Sequence, residues 1–338
     1  MTPGTPRAQD VRVNVRVSVL IPAYNAAHCS GRAIASVLAQ TEQDFEILVV
    51  DDASSDATAA LVEAAAADDP RIRLLRAPRN GGPGSARNRG IAAAAGEWIA
   101  PLDADDRFHP RRLELLARIG GQQGADMVAD NLLVCAGQAL GTPMFPPGFM
   151  PASLTLDALA FVQGNLAPKA SLAPKVRGRV GYAFLKPLIR RSFLADNGIA
   201  YDAARFAEDY LLYLRCLLHG ARWALTPEAM YDYAVHAASL TAGHSAADLA
   251  YLADAERALL RHPAVDRNPA LRRSLAQHAR TVELALSWFE FATAVKRRDP
   301  AGALSSLGRD PRNLVHIGRE SLRALPRAWA KRTAHRAA

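Results

Sequence analysis

Short apolar runs alternate with helix-forming segments through residues 17–130. The apolar runs have strand length and cover residues 17–21, 45–50, 72–75, 98–102 and 126–129. The segments between them favour helices over residues 30–39, 55–67, 86–95 and 110–119. Ser55 or Asp56 is placed to cap the second helix, and Ser85 the third. Regular alternation of strands and helices predicts a doubly wound α/β sheet.

The pattern changes after residue 130 and again near residue 245. Residues 137–181 are rich in Pro and Gly, so we expect a long connection there. Strand-like runs return at 223–226 and 230–236, and only helix formers follow from residue 246. We therefore predict three parts: a flexible tail, an α/β domain and a helical C-terminal region. Their bounds are 1–16, 17–245 and 246–338.

Three of the predicted strands run directly into polar residues. Tyr24 and Asn25 follow the first, Asp51 and Asp52 the second, and 103–106 the fourth. The carboxyl ends of such strands form the ligand-binding edge of an open α/β sheet. Carboxylates as close as those of 103–106 repel unless something neutralises them, and Mg²⁺ or Mn²⁺ is the usual neutraliser. Taken alone, this segment is more typical of a solvated acidic turn than of a metal site.

Charge and cysteine content narrow the class of protein. The net charge of +8 is compatible with nucleic acid, an anionic membrane or a phosphorylated substrate. The three cysteines are far apart with no CxxC pair, which indicates a reducing compartment and no structural zinc. Without a signal-peptide pattern or a run of ~18 apolar residues, a cytoplasmic protein is expected.

The last thirty residues carry a basic pattern of their own. Residues 309–338 contain eight Lys or Arg against two acids, with apolar residues at roughly helical spacing. A basic amphipathic helix suits the surface of an anionic membrane, which would make the protein peripheral at the inner membrane face. A helix packed on its own domain with a solvated basic face explains the pattern equally well.

Three other functions have weaker support from the residues. The turn at 81–84 resembles a dinucleotide fingerprint, but it follows the third strand and Pro83 breaks the spacing. A nucleotidyltransferase would need a basic phosphate loop after the first strand, where residues 23–27 contain no Lys or Arg. A nucleic-acid binder has only the net charge in its favour, without an aromatic platform for bases, so we expect no nucleic-acid partner.

Five motifs in order resemble those of the family 2 glycosyltransferases, which have the GT-A fold. They occupy residues 17–25, 46–56, 80–90, 102–106 and 208–215. Each motif is moderately common alone, and the ordered set is specific. The resemblance covers about 17–240 and implies a nucleotide-sugar half over 17–130 and an acceptor half over 131–245.

The resemblance also implies a role for each matching residue. Asp52 resembles the acid that binds the uracil of a UDP-sugar, and Asp209 the general base. In the Asp-x-Asp motif, Asp105 corresponds to the direct ligand of Mn²⁺ or Mg²⁺, and His236 to a residue that completes the metal shell in some members. Ala53 stands where the family commonly has Gly. The implied nucleotide contacts are Pro22, Tyr24, Asn25, Asp52, Arg87 and Asp103.

The chemistry implied is transfer of a sugar with inversion at the anomeric carbon. A UDP-sugar would be the donor and a glycan, in particular a lipid-linked one, the acceptor. Residues around 130–131, 186–187 and 208–209 resemble exopolysaccharide transferases of the succinoglycan type, which points to UDP-glucose. The alternative is a GT-A fold without catalysis that works as a nucleotide- or nucleic-acid-binding module.

Overall fold

The computed structural model contains two compact units, Met1–Ala237 and Ala238–Ala338. The residues it describes are 16–136, 141–146, 148, 155–166, 181–202, 206–235, 245–308 and 317. Residues 309–338, apart from 317, lie outside that description, and so does the predicted basic helix. Among the described residues, no helix has the length and apolar character needed to cross a membrane.

The first unit is built on a mixed sheet of ten strands. Its main path runs β3-β2-β1-β4-β9-β6-β10-β5, with β7 beside β6 and β8 beside β10. The strands are β1 Val17–Ala23, β2 Phe45–Asp51, β3 Ile72–Arg76, β4 Trp98–Pro101, β5 Arg107–Phe108, β6 Met127–Ala136, β7 Thr142–Pro143, β8 Thr155–Leu156, β9 Leu188–Arg190 and β10 Trp223–Val235. The α/β sheet predicted from the alternation is confirmed.

Strand direction divides this sheet into two parts. β3, β2, β1 and β4 are parallel neighbours, as are β6 and β10. β9 lies between the two parts and is antiparallel to both β4 and β6. The carboxyl ends of β1, β2 and β4 therefore meet at one edge, and their polar continuations gather there.

Helices cover the sheet and make up the second unit. The first unit contains α1 Ser30–Leu38, α2 Thr58–Asp68, α3 Gly82–Ala93, α4 Arg112–Gln123, α5 Ala158–Leu166, α6 Arg191–Asp196 and α7 Glu208–Leu218. The second contains α8 Ala246–Leu259, α9 Pro263–Asp266, α10 Pro269–Arg297 and α11 Pro300–Gly308. α8 begins with a capping box between Ser245 and Asp248, and the Asn268 side chain caps α10.

The predicted cap of α3 was wrong, whereas Asp56, one of the two predicted for α2, does bind the amide of the first residue of that helix. α3 begins at Gly82, four residues before the predicted start, so Ser85 lies inside the helix. The Asp52 carboxylate, directly after β2, accepts hydrogen bonds from the amides of Gly81 and Gly82 and thus supplies the missing cap from a distant part of the chain. α2 begins at Thr58 after Ala57, and Asp56 accepts from the Thr58 amide.

Two segments of the second half also differ from the prediction. The connection over 137–181 contains α5, whose Phe161 and Val162 are buried. The two strands predicted at 223–226 and 230–236 are one strand, β10, with a bulge between Thr226 and Tyr231. Pro227 falls in that bulge, where a residue without an amide proton breaks no ladder hydrogen bond.

Polar side chains also occupy the amino-terminal edge of the parallel strands. Glu46 is fully buried on β2 and accepts hydrogen bonds from the Ser18 hydroxyl and the Ala95 amide, both at 2.7 Å. Its second oxygen lies 2.9 Å from Arg73 Nη1. A buried carboxylate is tolerated here because donors meet both of its oxygens.

Candidate active site

The loops that follow β1 and β2 are joined by hydrogen bonds. Asn25, in the left-handed region with φ 51°, accepts a hydrogen bond on Oδ1 from the Ser55 amide at 2.8 Å. Its own amide donates to Ser54 Oγ at 2.9 Å. Pro22, which pairs with Val50 across the strands, is half-buried, and the Tyr24 ring is 54% exposed beside it. The loops thus offer an open aromatic surface on a fixed backbone.

Asp52 lies at the inner end of these loops and is 4% exposed. Its oxygens accept from the Gly81 amide at 2.9 Å and the Gly82 amide at 2.8 Å. Each carboxylate oxygen has two lone pairs, so acceptor capacity remains for a ligand. Ala53, next to it, has φ 62°, a conformation that glycine adopts without strain.

The motif over 80–90 attaches α3 to the segment that precedes α7. Asn88 exchanges two hydrogen bonds of 2.8 Å with the backbone of Tyr201. A Cβ on Gly84 would lie 2.2 Å from the carbonyl oxygen of Asp202, so only glycine allows this approach. The motif therefore has a packing role that its sequence alone does not reveal.

Arg87 from the same helix belongs to a group of five ionisable side chains, with two buried cations and three partly buried carboxylates, which we call the charge cluster. Its side chain is 3% exposed, with Nη2 2.6 Å from Asp103 Oδ1 and Nη1 2.8 Å from Glu208 Oε1. Lys186 is the second cation. Its Nζ lies 2.8 Å from Asp103 Oδ2 and 2.7 Å from Asp209 Oδ2. The members are Arg87, Asp103, Lys186, Glu208 and Asp209.

Ion pairing sets the protonation of this cluster. Burial would raise the pKa of Asp103, but Lys186 and Arg87 outweigh it and hold that pKa well below its usual range. Burial would likewise lower the pKa of Lys186, and the carboxylates of Asp103 and Asp209 instead raise it well above its usual value. Burial and the charge of Asp209 raise the pKa of Glu208 despite Arg87.

Sequence reasoning missed Lys186 as a site residue. The sequence signal that could have drawn attention to it is the rarity of lysine, since the chain has only five lysines against 36 arginines. Its main-chain carbonyl accepts a hydrogen bond from Arg112 Nη2 at 2.5 Å. Arg112 in turn pairs with Asp130, and its guanidinium lies 4.4 Å from the Phe108 ring centroid. The main chain of Lys186 is thus held by the buried ion pair of Arg112 and Asp130.

The two remaining acids of the Asp-x-Asp region have different surroundings. Asp106 is buried and accepts hydrogen bonds from the Tyr231 hydroxyl at 2.6 Å and the Ala234 amide at 2.7 Å. Burial and the charges of Asp103 and Asp105 raise its pKa. Asp105 is half-buried at the same edge, close to both neighbours in sequence. Asp106 therefore holds β10 against this loop, and Asp105 is the more accessible carboxylate.

The residues fit a divalent metal that is shared with a substrate. Within the described part of the chain, no three His, Cys, Asp or Glu side chains form a metal-binding group. His236, the other expected ligand, lies outside the described residues. Both oxygens of Asp103 are engaged by cations, and Asp105 is the acid that the Asp-x-Asp motif assigns to the metal. One carboxylate completed by phosphate oxygens and waters is a usual Mg²⁺ arrangement.

Solved structures identify the fold. S. aureus TarS 1–349 in complex with UDP superposes with a TM-score of 0.60 at 18% identity, over 86% of this chain and 88% of that one. The mannosyltransferase PcManGT from Pyrobaculum calidifontis, in complex with GDP-Man and Mn²⁺, gives 0.51 at 18% identity, over 95% and 84%. The fold is GT-A, that of the nucleotide-sugar transferases.

Sequence relatives identify the family. The family model described as Glycosyl transferase family 2 matches residues 18–145. The succinoglycan biosynthesis protein ExoO of Rhizobium meliloti (strain 1021) is 35% identical over 302 residues, 89% of this chain and 83% of that protein. ExoU of the same strain is 39% identical over 246 residues, 72% and 69%. The chain belongs to glycosyl transferase family 2.

Proposed function

We propose that this protein transfers a sugar from a UDP-sugar to a hydroxyl of a glycan acceptor, with inversion, during exopolysaccharide synthesis. The observation that carries the proposal is the charge cluster. Asp103 from the Asp-x-Asp motif and Asp209 from α7 both form ion pairs with the ammonium group of Lys186. The residue assigned to the donor and the residue assigned to the acceptor therefore share one small site.

The donor's nucleotide would occupy the loops after β1 and β2. Tyr24 offers an exposed ring for stacking, and Asp52 a carboxylate with spare acceptor capacity for the base. Pro22 and Asn25 line the same loops, and Arg87 and Asp103 lie deeper. TarS, which has the same fold, was solved with UDP and with UDP-GlcNAc, which supports a UDP-linked donor.

Asp209 would act as the general base. Its Oδ2 is held by Lys186, whereas Oδ1 is buried and accepts no hydrogen bond from the described residues. An unsatisfied buried oxygen at a site of this kind is suited to receive a proton. Removal of the acceptor's proton during in-line attack on the anomeric carbon gives inversion.

A divalent ion bound with the help of Asp105, Mn²⁺ or Mg²⁺, would stabilise the charge that collects on the departing diphosphate. His236 is the second ligand proposed. Arg87 and Lys186 keep Asp103 ionised beside the diphosphate. PcManGT, which has the same fold, was solved with Mn²⁺ and supports a requirement for metal.

The acceptor proposed is a lipid-linked glycan at the inner membrane face. The similarity to ExoO and ExoU supports an exopolysaccharide intermediate, and UDP-glucose is the first donor to test. Residues 309–338, with eight basic residues against two acids, would hold the protein at an anionic membrane surface. Liposome binding by the full chain and by a chain lacking 309–338 tests that attachment.

Calorimetry of UDP binding tests the proposal directly. We expect UDP to bind in the presence of Mn²⁺ and to bind more weakly without it, whereas GDP binds poorly. Asp105→Ala should remove the effect of Mn²⁺ and leave the metal-free affinity for UDP unchanged. Absence of UDP binding under both conditions would overturn the assignment of the donor and favour the non-catalytic GT-A alternative.

A further inference from the structure

We propose that Lys186 is a positioning residue that fixes the general base against the donor site. The inference rests on the proposed function, because it takes Asp209 as the base. Neither the family motifs nor the relatives' names assign a role to this lysine. The argument starts from its contacts within the charge cluster.

Lys186 joins two carboxylates that come from distant parts of the chain. Its Nζ lies 2.8 Å from Asp103 Oδ2, at the end of β4, and 2.7 Å from Asp209 Oδ2, in the first turn of α7. Arg87 occupies the other oxygen of Asp103 and lies 3.8 Å from Asp209 Oδ1. Among the described residues, Oδ2 of Asp209 therefore has one close partner, Lys186, which also contacts Asp103 on the donor side.

The chemistry of an ammonium group suits this bridge. A lysine is a compact point charge whose three donors can point in different directions, whereas a guanidinium favours flat, two-pronged contact with one carboxylate. Lys186 is the only lysine among the described residues of the first unit, in a chain with five lysines and 36 arginines. The bridge is therefore specific to the residue type as well as to its charge.

The rest of the fold holds Lys186 in place from behind. The hydrogen bond from Arg112 fixes its carbonyl, and Arg112 is held by the buried Asp130. Pro187 follows, with its φ restricted, and then the antiparallel strand β9. A side chain only 6% exposed on such a support has little freedom to move. Contacts with the rest of the fold thus fix the Lys186 side chain, and its ion pair with Asp209 in turn fixes the Asp209 carboxylate.

Among the described residues, loss of the ammonium would leave Asp209 with only the 3.8 Å contact between its Oδ1 and Arg87 Nη1. The carboxylate could then rotate towards Arg87, which already binds Asp103 and Glu208. A displacement of ~1 Å at a reacting group can lower turnover ~100-fold. We therefore expect Lys186→Met to reduce kcat by about 10- to 100-fold and to change KM for the donor less than about threefold.

The experiment measures UDP release from UDP-glucose and UDP-N-acetylglucosamine by the full-length protein with Mn²⁺, water serving as acceptor. The variants are K186M, K186R, D209N and the K186M/D209N double variant. K296M is the matched control, since Lys296 is an exposed residue of α10. K296M should behave as the wild type, and K186R should retain more turnover than K186M.

The double variant separates positioning from a general structural role. If Lys186 acts through Asp209, K186M should change kcat less than about twofold once Asp209 is Asn, because the two effects are not additive. An equal loss in both backgrounds, or full turnover by K186M alone, would overturn the inference. If K186M does not fold, K186M/E208Q restores the charge balance and is compared with E208Q.

Failure of the proposed function gives a different result. In that case the wild type itself would not bind UDP with Mn²⁺, or would release no UDP from either donor. If the wild type binds UDP and turns over while K186M does so equally well, only the role of Lys186 is overturned.

Discussion

Arg112 and Asp130 form an ion pair inside the first unit, with 2.8 Å between Nη2 and Oδ1 and side-chain exposures of 0% and 1%. Removal of one partner leaves a buried charge without compensation. We expect Asp130→Asn to lower the free energy of unfolding by about 3–5 kcal/mol. Urea denaturation measures this. The control is Glu63→Gln in the exposed pair with Arg76, where we expect a change within about 0.5 kcal/mol.

Ala53 stands beside Asp52 in a left-handed conformation, with φ 62°. An L-residue there costs ~1–2 kcal/mol, and glycine loses ~0.4–1 kcal/mol through its more flexible unfolded chain. Ala53→Gly should therefore stabilise the protein by about 0 to 1.6 kcal/mol. A lower midpoint of thermal unfolding in the variant would contradict this explanation of the turn.

Two glycines on consecutive helices, Gly84 on α3 and Gly121 on α4, should respond in opposite ways to alanine. A Cβ at Gly84 would meet the carbonyl oxygen of Asp202, whereas a Cβ at Gly121 has no heavy atom within 4 Å. We expect Gly121→Ala to stabilise α4 by about 0.5–1 kcal/mol. Gly84→Ala should instead separate α3 from the Tyr201 segment and lower both stability and UDP-sugar turnover. Equal midpoints for the two variants would argue against the close approach.

The charge of Lys186 should affect how the free energy of unfolding depends on pH in the alkaline range. Its pKa is raised in the folded state, so its contribution is complete below pH ~10.4, the unfolded value, and falls above it. The slope is ~1.4 kcal/mol per pH unit, because the folded state keeps a proton that the unfolded state has lost.

Lys186→Arg is the reference for that measurement, since arginine stays charged throughout this range. The buried tyrosines titrate in both proteins, so their effect cancels in the difference. Denaturation from pH 9 to 11.5 should show the wild type losing stability relative to K186R. Parallel curves would mean that Lys186 is not strongly paired.

Asp209→Asn tests the base itself. The amide keeps the size of the carboxylate and can still accept from Lys186, but it cannot take a proton. We expect kcat to fall by at least about 100-fold while the affinity for UDP stays within about threefold. A variant that retains turnover would remove Asp209 from the role of base. A variant that loses UDP binding would place it in the donor site instead.

The sequence was sufficient for features that depend on neighbouring residues. Alternating patterns located the parallel strands, and the rule about their carboxyl ends predicted where Asn25, Asp52 and Asp103 gather. Features made by distant partners were not visible. Asp52, which directly follows β2, caps α3 from a distant part of the chain. The prediction of Ser85 as the cap was therefore wrong. The bridge made by Lys186 needs the antiparallel placement of β9, which no local pattern indicates.

Glu46 and Asp51 are five residues apart on β2, about 16 Å along the strand. One belongs to the buried network with Ser18 and Arg73, the other to the loops that would receive a nucleotide. Under the proposed function, donor choice would depend on the carboxyl ends of these strands, whereas the Glu46 network lies at their amino-terminal ends. A mutant library aimed at a new donor sugar can vary the loops while the amino-terminal network stays unchanged as an anchor. Substitutions that raise thermal stability can be sought around that network, away from the loops that would receive the nucleotide.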